Sequence, residues 1–302
     1  MAIHYLENDQ LLISISTFGA ELQSIRSKTT NFEYLWHADK TYWARRSPVL
    51  FPIVGKVWDG HMRYQGIQYP LSQHGFARDC EFTHIPTDQL RSLLPSSDAQ
   101  SCGFVLHSNP ETQKIYPFQF SLYIIYQLSD NQLTVNWIVR NNADTDLYFQ
   151  IGAHPAFNYR NFDPEAPIQG YIQFDKHGEA SLTTLECGGY AAANRATINI
   201  PSDGLPITPQ TFDGDALVFE RQFSVITLCD QHHCPYVEVA FQAPVVGLWS
   251  PAKTGYAPFL CIEPWYGRCD DSHFDGDYNQ KPYINHVNPN QQFNTSYTIK
   301  FL

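Results

Sequence analysis

The sequence predicts a large antiparallel β-sandwich of the all-β class with very little helix. Three observations carry this. Apolar and polar residues alternate in short segments, as in Leu11–Ile25, Phe118–Leu128 and Leu133–Val139, which is the two-residue period of half-buried strands. Turn residues separate those segments, as in Gln65-Gly66, Ser129-Asp130-Asn131-Gln132 and Asp213-Gly214-Asp215. Aromatic residues make up 15% of the 302 residues, an enrichment that favours pleated, half-buried surfaces. No internal repeat, low-complexity tract or linker interrupts the pattern. One domain spanning residues 1–302 is therefore expected.

Taken in order, Leu11–Ile25 reads as an opening hairpin, with Gly19 and Ala20 small enough for a close backbone approach. Ser47 to Lys56 is an apolar run punctuated by proline and glycine, too short for a helix. Met62–Tyr64 and Ile67–Tyr69 flank the tight-turn pair Gln65-Gly66. Two weak strands are expected between Cys80 and Leu94. Ser108-Asn109-Pro110-Glu111 is a capped helix start, cut short by Pro117, and is the only clear helix signal. Ala166–Thr211 reads as long surface loops with thin strands between them. Strands at Ala216–Phe219, Val225–Leu228, Val237–Phe241, Val245–Trp249 and Phe259–Ile262 follow. A polar loop over Asp270–Asn290 and a closing strand at Ser296–Leu302 end the chain.

Composition excludes several classes. The formal net charge is -11, so a phosphate backbone is repelled and nucleic acid is not an expected partner. No apolar run approaches a membrane span, and Met1–Gln10 lacks a basic stretch leading into an apolar one. Seven scattered cysteines give no disulfide framework, which places the protein in a reduced cytoplasm. A Gly-rich phosphate loop, a His-Glu-x-x-His pair and a Gly-x-Ser-x-Gly elbow are all missing from the sequence. His232-His233-Cys234 near Cys229 fits no zinc spacing and reads as a polar turn, so no metal and no cofactor are expected.

One stretch organises the chemistry. Phe259-Leu260-Cys261-Ile262 is an apolar strand that meets a carboxylate at Glu263, then Pro264, Trp265, Tyr266 and Gly267. A glutamate on the last pleat of a buried strand is oriented and partly desolvated, as a general base must be; it also suits an ion pair at a strand end. Gly152-Ala153-His154-Pro155-Ala156-Phe157 repeats the design with a histidine, and His74 lies in His-Gly-Phe-Ala-Arg beside small residues. Each histidine alone suits a hydrogen-bonded structural role. Together with Glu263 they supply an acid and a base flanking one small molecule, the minimum for proton transfer.

Five motifs stand in order along nearly the whole chain: Phe-Pro-Ile-Val-Gly-Lys at 51–56, His-Gly-Phe-Ala-Arg at 74–78, Gly-Ala-His-Pro-Ala-Phe at 152–157, Asp-Ala-Leu-Val-Phe at 215–219 and Cys-Ile-Glu-Pro-Trp at 261–265. The set resembles the aldose 1-epimerase (galactose mutarotase) family, nearest its LacX-like bacterial branch. The resemblance implies a β-supersandwich with an open sugar cleft, a monomer or homodimer, and a small aldohexose such as galactose or glucose as partner. It implies that Glu263 takes the anomeric proton, that His154 gives one to the ring oxygen, that His74 helps hold the ring oxygen, and that Asp215 binds sugar hydroxyls. The chemistry asks for an ionised Glu263 and a protonated His154, hence a bell-shaped pH profile. Lys56 stands where better-known members place a cleft arginine, with Arg45 and Arg46 upstream; an ammonium does not reproduce an arginine fork. Trp265, Tyr266, Phe157 and Trp249 are candidates to stack on the sugar. Arg45, Arg46, Lys56 and Arg78 would suit a phosphorylated sugar, and a non-catalytic sugar-binding module is the third reading.

Overall fold

A computed structural model of the chain describes residues 1–94, 99–252 and 257–302. It is dominated by antiparallel strands, as the sequence predicts. Among the described residues a nine-stranded sheet runs in the order Leu205–Pro206, Tyr171–Phe174, Val225–Cys229, Pro235–Phe241, Gln292–Phe301, Gln132–Asn141, Phe120–Ser129, Gln100–His107 and Thr83–Ile85. An eight-stranded sheet runs in the order Tyr190–Ile200, Gly178–Glu186, Leu217–Glu220, Val245–Trp249, Phe259–Tyr266, Ile151–Ala153 and Val49–Leu50, with Ala156–Asn158 also pairing with Phe259–Tyr266. A three-stranded sheet, Ile3–Glu7, Leu11–Ser16 and Leu22–Ser27, contains the expected opening hairpin.

The two large sheets share one core, and strand alternation decides which residues enter it. Along Phe259–Tyr266, Leu260 and Ile262 face that core, and Tyr266 packs against Trp137 and Phe293 of the opposite sheet. Cys261 and Trp265 lie on the other face, in separate small clusters. Glu263, between them, shares their face by the same two-residue period. The strand thus seals the sandwich with one face and builds a cleft wall with the other.

Local signals were sound where turn chemistry was strict. Gln65 (φ 51°) and Gly66 (φ 78°) form the paired left-handed turn joining His61–Tyr64 to Ile67–Pro70. Asn109 caps the helix Pro110–Ile115 by accepting hydrogen bonds from the Glu111 and Thr112 amides. The His232 cluster is a turn: Asp230 accepts from the His232 and Cys234 amides, and His233 stacks on Tyr171.

Three expectations are corrected. The second strand expected before Leu94 is a helix, Thr87–Leu93, entered directly after Pro86; only Leu90 is buried from it, with Leu93 packed partly buried beside the same cluster, so its apolar signal is a short i, i+3 pair. The expected loops of Ala166–Thr211 contain a long hairpin, Gly178–Glu186 with Tyr190–Ile200. Its pattern of Ala, Thr and Ser carries too little hydrophobicity to announce strands. The Glu263 strand does not end at the carboxylate: it runs through Pro264 to Tyr266.

This division of faces has a measurable consequence. Ile262→Ala, in the shared core, is expected to cost about 2–5 kcal/mol in urea unfolding. Thr197→Ala, on the exposed face of the long hairpin, is expected to stay within about 0.5 kcal/mol.

Candidate active site

The site forms at a gap in a β-ladder. Gly152 pairs with Trp265, and Ala156 pairs with Cys261, in the same register. Extending that register places His154 directly opposite Glu263. Ile262 donates its amide to the Pro155 carbonyl at 3.2 Å. Pro155 cannot return the bond, and Pro264, opposite Ala153, cannot donate either. Two prolines therefore leave two ladder bonds unmade on either side of one cross-strand pair. His154 and Glu263 occupy a position where opposing side chains stand closest, and His154 Nε2 lies 3.3 Å from Glu263 Oε2. This also explains how Pro264 sits within a central strand: its missing N–H faces the gap.

Trp265 is fixed by two glycines on the flanking strands. A Cβ on Gly247 would stand 2.5 Å from its ring, and one on Gly152 would stand 2.7 Å from it. His154 is held by Trp43, stacked at 4.6 Å between ring centres, and by the edge of Trp249 at 5.7 Å.

His74 reaches the same place from a different loop. It has φ 66° and is followed by Gly75 at φ 70°, where a Cβ would lie 2.2 Å from the Phe51 carbonyl oxygen. The His74 amide donates to the Gly55 carbonyl at 2.7 Å, and the Gly55 amide donates to His74 Nδ1 at 3.1 Å. Accepting at Nδ1 leaves the proton of the neutral ring on Nε2. That nitrogen lies 3.2 Å from the Gln73 side-chain amide. The His74 and His154 rings are 5.6 Å apart. Three protonatable side chains distant in sequence thus meet.

They line a cleft of about 500 Å³, within the range of small-molecule sites. Its walls include Trp43, Arg45, Gln73, Arg78, Asp215, Trp249 and Trp265. Asp215 stands on the exposed rim at φ 77°, its carboxylate accepting from the Ala216 amide. Arg45 is bound to Asp79 at 2.8 Å, and Arg78 donates to the Gln73 carbonyl at 2.6 Å.

Other sequence candidates lie elsewhere. Phe157 is wholly buried: it pairs with Leu260, on the core face of its strand. Tyr266 likewise faces the core, its hydroxyl bonded to Thr295. Arg46 is spent on the Gln23 and His37 carbonyls, away from the cleft. Lys56 stands beside the cleft but donates to the Gly188 carbonyl at 2.5 Å. Trp43 and Gln73 were missed by sequence reasoning. Trp43 sits in an irregular stretch, and its aromatic neighbours Trp36 and Tyr42 were the available signal.

Burial governs the charges. It pushes Glu263 well above the usual carboxylate range; the nearby Trp265 indole N–H opposes this without a well-formed hydrogen bond, and Asp215 adds to it. Burial pushes His154 down to about 3, with Arg78 and Arg45 acting the same way. His74 is also pushed well down, first by burial and then by His154 and Arg78. The free protein therefore opposes the ionised Glu263 and protonated His154 that the sequence reading asks for. Cys261 brings a third potential metal donor within 4.8 Å of His154 and Glu263. Burial raises its thiol well above the ordinary value, so the trio offers a metal no ready thiolate.

The chain matches the aldose 1-epimerase family model over residues 3–273, and it belongs to that family. It is 29% identical to the plasmid-encoded protein LacX of Lactococcus lactis subsp. lactis, over 98% of each chain. A galactose mutarotase related enzyme from Lactobacillus acidophilus superposes with a TM-score of 0.88 at 31% identity, over 100% of this chain and 97% of that one. A galactose mutarotase-like protein from Lactobacillus casei ATCC 334 superposes with a TM-score of 0.87 at 28% identity, over all of both chains. The family relates this chain to carbohydrate and to a sugar as its substrate. Among the described residues no helix is long and apolar enough to cross a membrane.

The raised Glu263 predicts a pH-dependent cost. Below about pH 4.3, the ordinary glutamate value, folded and unfolded chains both hold the proton. Above it the unfolded chain ionises first, so the carboxyl destabilises the fold increasingly until it ionises in place. Glu263→Gln removes that cost. The variant is expected to match the parent protein near pH 4 and to exceed its melting temperature increasingly as the pH rises above that value. Thermal denaturation across that range checks it.

Proposed function

We propose that the protein is an aldose 1-epimerase that interconverts the α and β anomers of a free aldohexose. The observation that carries this is the buried Glu263–His154 pair at 3.3 Å, opening into a cleft that also holds His74. Ring opening needs a base at the anomeric hydroxyl and an acid at the ring oxygen, with no net gain or loss of protons. In this reading Glu263 takes the O1 proton while His154 delivers one to the ring oxygen. Rotation about C1–C2 and reclosure then give the other anomer, with the two groups exchanging roles. His74, a neutral imidazole with its proton on Nε2, is a hydrogen-bond donor that steadies the ring-oxygen side, whereas His154 is the ring that accepts and releases charge beside Glu263. Sugar hydroxyls that donate to Glu263 stabilise its carboxylate and so draw its proton towards His154. Asp215 reaches hydroxyls at the rim, and Trp265 and Trp249 offer faces to the apolar side of the sugar.

A specific observation favours a second reading, a hexose 6-phosphate. Arg45 and Arg78 both line the cleft, and guanidinium forks suit a phosphate.

Polarimetry of freshly dissolved α-D-glucose and α-D-galactose tests the reading. The parent protein is expected to accelerate mutarotation. Glu263→Gln is expected to lower kcat by about 10²–10⁴-fold while sugar affinity changes by less than about threefold. A parent protein that binds the sugars without accelerating mutarotation would be a carbohydrate-binding module. Faster turnover of glucose 6-phosphate than of glucose, lost in Arg78→Met, would select the phosphorylated substrate.

A further inference from the structure

The long hairpin Gly178–Glu186/Tyr190–Ile200 ends in Cys187, Gly188 and Gly189, all at positive φ (50°, 81° and 115°). A register shift between Thr183 and Leu185 bends the strand before the tip, as β-bulges do. Leu185, Gly188 and Gly189 thereby reach the cleft that Gln73, His74 and Arg78 also line. The returning strand is fastened at its root. The Ala191 amide donates to the Asp270 carbonyl at 2.9 Å, the Ser272 amide donates to the Ala191 carbonyl at 3.0 Å, and Tyr190 packs on Trp58. Beyond that root, Gly189 is tied back to Glu186 within the turn itself. Tyr190 Oη donates to the Val57 carbonyl at 3.3 Å, and within the 187–189 tip itself Lys56 Nζ donates to the Gly188 carbonyl at 2.5 Å.

Lys56 is well placed for this. Its own carbonyl accepts from the Asp270 amide at 2.9 Å, and its neighbour Gly55 exchanges two hydrogen bonds with His74. Its stem passes 3.8 Å from where a Gly189 Cβ would lie, an ordinary van der Waals distance, so the lysine packs along the turn as well as bonding to it. Residues 55–56 therefore clasp His74 on one side and the hairpin tip on the other.

We propose that Lys56 is a positioning residue, a latch that holds the 187–189 tip over the mouth of the cleft and so controls entry and retention of a sugar. The control of sugar entry rests on the epimerase reading; the latch itself does not. The lysine's charge is spent on a backbone carbonyl rather than on substrate.

Exposed Cys187 carries a reporter on the tip. In a Cys234→Ser background, which removes the other exposed thiol, a nitroxide spin label on Cys187 of the full chain is followed by its spectrum with and without D-galactose. Lys56→Met is expected to raise the ratio of mobile to immobile label about three- to tenfold over the parent without sugar, the effect of losing one charge-assisted hydrogen bond at a half-exposed site. Lys56→Arg, which keeps a donor, is expected to stay near the parent ratio. Galactose is expected to lower the ratio in the parent and much less in Lys56→Met. Lys56→Met is also expected to raise KM with kcat within about twofold. An equal sugar-free ratio in Lys56→Met and parent overturns the latch. A raised ratio in Lys56→Met, with no galactose effect in any variant and no turnover, upholds the latch and overturns the epimerase reading instead.

Discussion

Everything at this site depends on a ladder that fails to close. Two strands of the eight-stranded sheet pair on either side of residues 154 and 263, yet two prolines deny them two of the bonds between. A complete ladder would press the strands together and bury both side chains in a sealed sheet. A gap without flanking ladder would leave them loose. The arrangement here lies between: the backbone is locked two residues away in each direction, so the imidazole and the carboxylate are oriented by the sheet while opening towards the cleft. A proline also holds the residue before it extended, which sets both His154 and Glu263.

The same strand imposes a division of labour. Its core face carries Leu260, Ile262 and Tyr266, and its cleft face carries Cys261, Glu263 and Trp265. Because the period is two, a one-residue slip would bury Glu263 in the sandwich core and put Ile262 in the cleft. Fold stability and site geometry are therefore enforced by one register. Gly152 and Gly247 tighten the match, since each stands where a larger residue would collide with Trp265.

How much of this is legible in the sequence follows from where the signals lie. The all-β class was readable because alternation and turn chemistry are local. The three protonatable residues were readable because each adjoins proline or glycine in a distinctive motif. Their face-to-face placement was not, because register across a broken ladder is a long-range property. Phe157 and Tyr266 were assigned to the cleft on residue type, and alternation sends both into the core. Arg46 was assigned on charge, and backbone carbonyls had already claimed it. Trp43 left no strand pattern, although its ring stacks on His154. The long hairpin was hidden by its small, weakly apolar residues.

The electrostatics of the pair bear directly on the proposed epimerase reading. Burial opposes a carboxylate at 263 and an imidazolium at 154 taken separately, and Arg45 and Arg78 add to the cost at the histidine. A proton moving from Glu263 to His154 leaves the net charge of the pair unchanged, and the two opposite charges it creates stand 3.3 Å apart and offset each other. Under that proposal, anomer exchange makes the same demand: one proton leaves a hydroxyl as another reaches the ring oxygen. A low-dielectric site that resists net charge is thus matched to a reaction that generates none. His74, held neutral with its Nε2 proton fixed by Gly55, contributes a donor without adding a second positive charge beside His154.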